Sequence, residues 1–185
     1  MMNRLLFSVS MNENYAQFFT ATILNWIPLL NSEKHKKIIV DSLSYLVEKG
    51  RCEVYAFVIM PNHIHLIWRM GGKEKQSDLQ RDFLKFTAQQ LRFSMIDNDS
   101  KMLSRFEVDK CDRKYQIWQR RPLSIDLYSS DVFEQKLDYI HANPVQGKWE
   151  LVKDYVDYKY SSASFYELGR TRFDFLSHYM SYLRH

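Results

Sequence analysis

Cysteine is nearly absent: Cys52 and Cys111 are the only two in 185 residues. That excludes a disulfide framework and any CxxC metal or redox pair, and makes a reducing, cytoplasmic setting the expectation. Five glycines and four prolines are too few for a low-complexity linker or a disordered chain, and no internal repeat is present. No apolar run approaches the roughly 18 residues that span a bilayer; the longest candidate, residues 18–30, is broken by Thr20, Asn25 and Pro28. Residues 1–11 carry Arg4 and a brief apolar run without a small-residue cleavage site, so no signal peptide is expected. Charge of one sign is also lacking, since 26 Lys+Arg stand against 22 Asp+Glu for a net +4, a weak field for a chain built only to coat nucleic acid. What is abundant is aromatic residues, 15% within a 45% hydrophobic content, enough to close one compact core.

The hydrophobic pattern gives the order of elements. Residues 18–27 (FFTATILNWI) are β-branched and aromatic and stop before Pro28, as a strand would. From Ser32, the apolar positions Ile38, Ile39, Leu43, Leu46 and Val47 recur at three- and four-residue steps toward Gly50, a helix with a glycine cap. Two apolar strands, 52–60 and 63–70, are separated by Pro61-Asn62, and so short a connection demands an antiparallel hairpin. Ser77 with Gln80 predicts a capping box for a helix running to about Met95, and polar residues 97–114 predict a loop. A fourth strand fits within 115–127, with a bend at 119–121. Asp131 with Glu134 then predicts the start of a last helix ending near Asn143, because Pro144 disfavours helical geometry before it. The sum is an α+β chain of the ferredoxin-like split βαβ type: a four-stranded antiparallel sheet with helices, followed by an additional C-terminal helix.

Two features carry chemistry. His63-Ile64-His65 lies within a predicted strand, where residues two apart share a face about 6.5–7 Å apart. Both imidazoles can reach one metal ion with coordination positions left open, or they can be two polar residues on a half-exposed face. On the last helix the four-residue spacing aligns Gln135, Tyr139 and Asn143, while Val132, Phe133, Leu137 and Ile140 turn toward the sheet. Tyr139 then faces a polar cleft. A phenol with an ordinary pKa near 10 is a poor nucleophile without a polarised electrophile beside it.

Residues 55–67, Tyr-Ala-Phe-Val-Ile-Met-Pro-Asn-His-Ile-His-Leu-Ile, resemble the HUH block of the single-tyrosine transposases. Residues 135–145, including Asp138-Tyr139-Ile140-His141-Ala142-Asn143-Pro144, resemble the tyrosine helix of the REP-associated branch of that family. The segments 82–87, Trp118-Gln119 and 157–163 are also similar to family blocks, so the resemblance covers residues 15–166, between an N-terminal extension (1–14) and a C-terminal tail (167–185). It implies a metal-dependent endonuclease and strand transferase acting on single-stranded DNA with hairpin ends. His63 and His65 would hold Mg2+ or Mn2+, Asn143 would stand where relatives place a third ligand, and Tyr139 would form a 5′-phosphotyrosine intermediate. The segment after Val145 lacks the branch's common Arg-Ala-Gly.

Lys85 and Arg92 on the second helix, and Arg120 and Arg121 beside Trp118, are the expected DNA phosphate contacts. The family includes homodimers and monomers, and the apolar strands 54–60 and 63–70 offer a dimer surface. The alternative reading is a domesticated or non-cleaving ferredoxin-like protein that binds DNA hairpins. No membrane partner is expected.

Overall fold

Alternation along two apolar stretches and one short turn builds the centre of the protein. The computed structural model describes residues 15–183 apart from 73 and 171; the expected N-terminal extension lies outside the described residues. In chain order the principal elements are β1 (Gln17–Thr22), α1 (Glu33–Glu48), β2 (Cys52–Ile59), β3 (His63–Met70), α2 (Gln76–Asn98), α3 (Ser100–Ser104), β4 (Glu107–Lys110), β5 (Arg113–Tyr115), β6 (Leu123–Asp126), α4 (Ser130–Ala142), α5 (Ala163–Leu168) and α6 (Met180–Leu183). The main sheet has the order β2-β3-β1-β6, and every pair in it is antiparallel. This is the ferredoxin-like arrangement expected from the sequence.

The period of two in β3 divides its side chains between layers. Trp68, completely buried, packs 5.1 Å from Phe19 and 5.7 Å from Phe83 of α2, centroid to centroid. Ile64 and Leu66 share that face, to which α1 contributes Ile39, Leu43 and Leu46. His63 and His65 therefore emerge on the opposite face, under α4. That helix buries Phe133, Leu137 and Ile140. Phe133 sits 5.9 Å from Tyr55 and 5.1 Å from Tyr179, so α4 is clamped between β2 and the C-terminal segment.

The outer edge of β2 is closed by the chain itself. Ile59 N–H donates to the Tyr160 carbonyl, Ser162 N–H to the Phe57 carbonyl and Ser177 N–H to the Val54 carbonyl. These bonds occupy edge donors and acceptors that would otherwise template another strand.

Several local expectations change. Strand β1 ends at Thr22, because Asn25 and Trp26 take left-handed backbone angles (φ 53° and 56°). Residues 97–114 include helix α3 and the β4–β5 hairpin rather than a plain loop. Gln80 does not close a capping box: α2 starts after Lys75 without a side-chain cap, and Gln80 instead donates to Ser124 Oγ of β6 at 3.0 Å. The cap of α4 is Ser129, whose Oγ accepts from Val132 N–H at 3.3 Å. At Gly71 an added Cβ would lie 2.0 Å from the Gly50 carbonyl oxygen, so only glycine lets β3 leave past the end of α1.

Candidate functional site

Three elements bring the chemistry-bearing residues together. Thr22 and Thr20 of β1 pair opposite His63 and His65 of β3, and α4 crosses above them. The two imidazole centroids are 4.7 Å apart. Tyr139 lies edge-on to His65 at 5.2 Å and to Phe18 at 5.9 Å, while its ring stays 47% exposed. The phenol stands above a half-buried His63 and a buried His65, yet stays open to solvent.

Hydrogen bonds fix which ring nitrogens are free. The Asn62 side chain is buried; its Nδ2 donates to the Trp26 carbonyl at 3.3 Å, which turns Oδ1 toward His63 Nδ1 at 2.8 Å. An amide oxygen cannot donate, so Nδ1 carries the proton and His63 Nε2 presents a lone pair. That nitrogen faces Asn143 Oδ1 at 3.3 Å. The Asn143 amide is itself oriented by donation from Nδ2 to the Tyr139 carbonyl at 3.1 Å. Two acceptors thus oppose one another. Protonating His63 would relieve the clash, but burial holds its pKa below the ordinary histidine value, partly offset by the Asn143 contact.

His65 can add a third lone pair when the Thr20 hydroxyl accepts from its Nδ1–H. Its Nδ1 is 2.7 Å from Thr20 Oγ1, and its Nε2 is buried without a hydrogen-bond partner. Burial, then the neighbouring His63 and Lys136 charges, pushes its pKa down to about 3. Two neutral imidazole nitrogens and an amide oxygen suit a divalent cation that keeps further positions for oxygen ligands. The 3.3 Å between His63 Nε2 and Asn143 Oδ1 is near the roughly 3 Å between adjacent octahedral ligands at about 2.1 Å. Among the described residues no cluster of three His, Cys, Asp or Glu side chains that could hold a metal ion is found. Although Pro144 follows, Asn143 keeps helical angles (φ −53°, ψ −42°) and so stays in line with Tyr139.

The expected DNA contacts divide. Arg120 and Arg121 are exposed and, with Thr20, Thr22 and Leu123, line a cavity of about 120 Å³ beside the histidine face. Lys85 and Arg92 lie on α2, across the sheet, and are not brought to this site. Sequence reasoning missed Lys136, whose Nζ sits 5.1 Å from the Phe18 ring and 5.8 Å from the Tyr139 ring; its position one turn before Tyr139 was the available signal. It also missed Asn62, read as turn chemistry alone.

No protein-family profile matches the chain. It is 28% identical over 155 residues, 77% of this chain and 82% of the other, to a Haemophilus influenzae protein named as a REP-associated tyrosine transposase. The chain is thus similar in sequence to a REP-associated tyrosine transposase. A solved REP-associated tyrosine transposase bound to a REP hairpin superposes with a TM-score of 0.63 over 86% of this chain and 82% of its own, at 22% identity, so the fold is shared. Among the described residues, no helix is long and apolar enough to cross a membrane.

Acid should weaken this protein through its buried histidines. His141, which contacts Ser162 Oγ at 2.9 Å, is pushed by burial down to about 4 from 6.5, as His65 is to about 3. Both folded values are depressed, so the unfolded chain takes up protons first and stability falls as pH drops below 6.5. Between pH 6.5 and 5 the loss should be about 2–4 kcal/mol. Urea midpoints in EDTA should fall over that range, and His141→Gln should flatten the dependence; a midpoint independent of pH would contradict this.

Proposed function

We propose that this protein is a divalent-metal-dependent single-stranded DNA nickase and strand transferase of the transposase type, with Tyr139 as nucleophile. The observation that carries the reading is the convergence, in one chain, of Tyr139 with the His63–His65 ring pair and with Asn143, whose Oδ1 faces His63 Nε2, where α4 crosses the sheet. Similarity to transposases, and a neighbour solved with a REP hairpin, support hairpin-bearing DNA as the substrate class.

The Tyr139 oxygen forms a bond to phosphorus while the bond to the 3′ oxygen breaks. The phenolic proton is given up and the departing 3′ oxygen takes one, leaving a 5′-phosphotyrosine and a free 3′-OH. Bond energy is retained, so the reverse attack by another 3′-OH rejoins strands without an external energy source. His63, His65 and Asn143 would hold Mg2+ or Mn2+, which when bound supplies charge neutralisation at the phosphate oxygens. Asn62 fixes the His63 tautomer through Nδ1, a positioning role that leaves Nε2 free. Lys136 adds positive charge beside the phenol, where a phosphate would sit.

The test uses an oligonucleotide carrying a hairpin from the DNA flanking the gene, with Mn2+. Wild-type protein should give a covalent adduct that survives a denaturing gel and disappears in EDTA. Metal affinity, read by calorimetry without DNA, should fall about 10–100-fold in Asn143→Leu and less in Asn143→Gln. An adduct formed equally well in EDTA would remove the metal from the reading, and absence of any adduct would favour a hairpin-binding protein that does not cut.

A further inference from the structure

Of the four described non-glycine residues with positive φ, three gather at one end of the sheet: Asn25 (53°), Trp26 (56°) and Arg121 (59°). Such angles cost roughly 1–3 kcal/mol each for residues with a side chain and persist only where surrounding contacts enforce them. Here the loops are laced together. Leu24 N–H donates to the Ile117 carbonyl at 2.7 Å, Gln119 N–H to the Thr22 carbonyl at 2.7 Å, and Trp26 N–H to the Ile23 carbonyl at 3.0 Å. The Trp26 carbonyl is held by Asn62, the residue that orients His63.

The outcome is unusual for an indole. Trp26 is 57% exposed, whereas Trp68 and Trp118 are buried, and no ring or cation contact to Trp26 occurs among the described residues. A large apolar ring held in solvent by an enforced backbone whose carbonyl is tied through Asn62 to His63, with the exposed Arg121 on the neighbouring loop, has the properties of a stacking surface near a phosphate contact.

We propose that Trp26, assisted by Arg121, is a platform on which a base of single-stranded DNA stacks next to the histidine face, holding the strand in register with the site. This rests on the reading of single-stranded DNA as substrate, but it concerns binding and needs neither metal nor cleavage. Stacking is tolerant of sequence because every base has a π-face, so an oligothymidylate is a sufficient probe.

Titrating full-length protein with oligothymidylate in EDTA should quench tryptophan fluorescence. Trp26→Phe should lose most of that quench while binding nearly as tightly by anisotropy of a labelled oligonucleotide; Trp26→Ala should bind about tenfold more weakly or worse. Arg121→Ala should reduce the salt dependence of affinity by about one phosphate contact. Circular dichroism melts of the variants matching wild type would assign these losses to the missing ring. Wild-type affinity in Trp26→Ala, or an unchanged quench in Trp26→Phe, would overturn the proposal. The cleavage assay is separate: no adduct together with a Trp26-dependent quench would end the nuclease reading and leave the platform standing.

Discussion

Tyr139→Phe should abolish the covalent protein–DNA adduct while leaving affinity for hairpin DNA within about twofold of wild type. The substitution removes one oxygen and keeps the ring that packs edge-on to His65 and Phe18, so α4 stays docked. Removing a nucleophile that acts covalently typically costs many orders of magnitude, because nothing else can form the intermediate. Eleven other tyrosines exist among the 12 in the chain, yet those nearest α4 are committed elsewhere: Tyr179 Oη donates to Glu134, and Tyr166 Oη to the Tyr55 carbonyl. A gel-stable adduct in Tyr139→Phe would place the nucleophile on another residue and dismantle the assignment.

Phe133→Ala should lower stability by about 3–5 kcal/mol and remove cleavage with it. Phe133 is completely buried among Tyr55, Tyr179 and Tyr182, so its loss leaves a cavity between β2, α4 and the C-terminal segment, and these walls belong to different parts of the chain. Phe133→Leu should recover most of the loss because it refills much of the volume. Chemical denaturation gives the stability and the adduct assay gives the activity; an alanine variant with wild-type midpoint would mean that α4 is held by other contacts.

The elements legible in the sequence were those whose residues face a core. β3 occupies residues 63–70 as its apolar run after the Pro61-Asn62 turn implied, and Phe133, Leu137 and Ile140 face inward as the helical period required. The β4–β5 hairpin escaped because its strands, EVDK and RKY, have no apolar face and pair at the periphery. Residues 23–27 read as a strand on composition, since β-branched and aromatic side chains carry that signal whether or not the backbone turns; Asn25, a residue that tolerates left-handed angles, was the one hint. Within the site, His63, His65 and Tyr139 were visible by spacing. Asn62, Thr20 and Lys136 act through contacts between β1, β3, α4 and the loop at Trp26, which spacing along one element does not encode.

The closure of β2 by residues 160–177 has a bearing on synthesis. Phe57 N–H donates to Ser162 Oγ across 105 positions of sequence, so on the ribosome the sheet waits with a bare margin until that stretch has emerged. A chain released early would carry both histidines and the phenol but leave its most apolar strand available to any neighbour. Aggregation or proteolysis would then remove it before it could reach DNA.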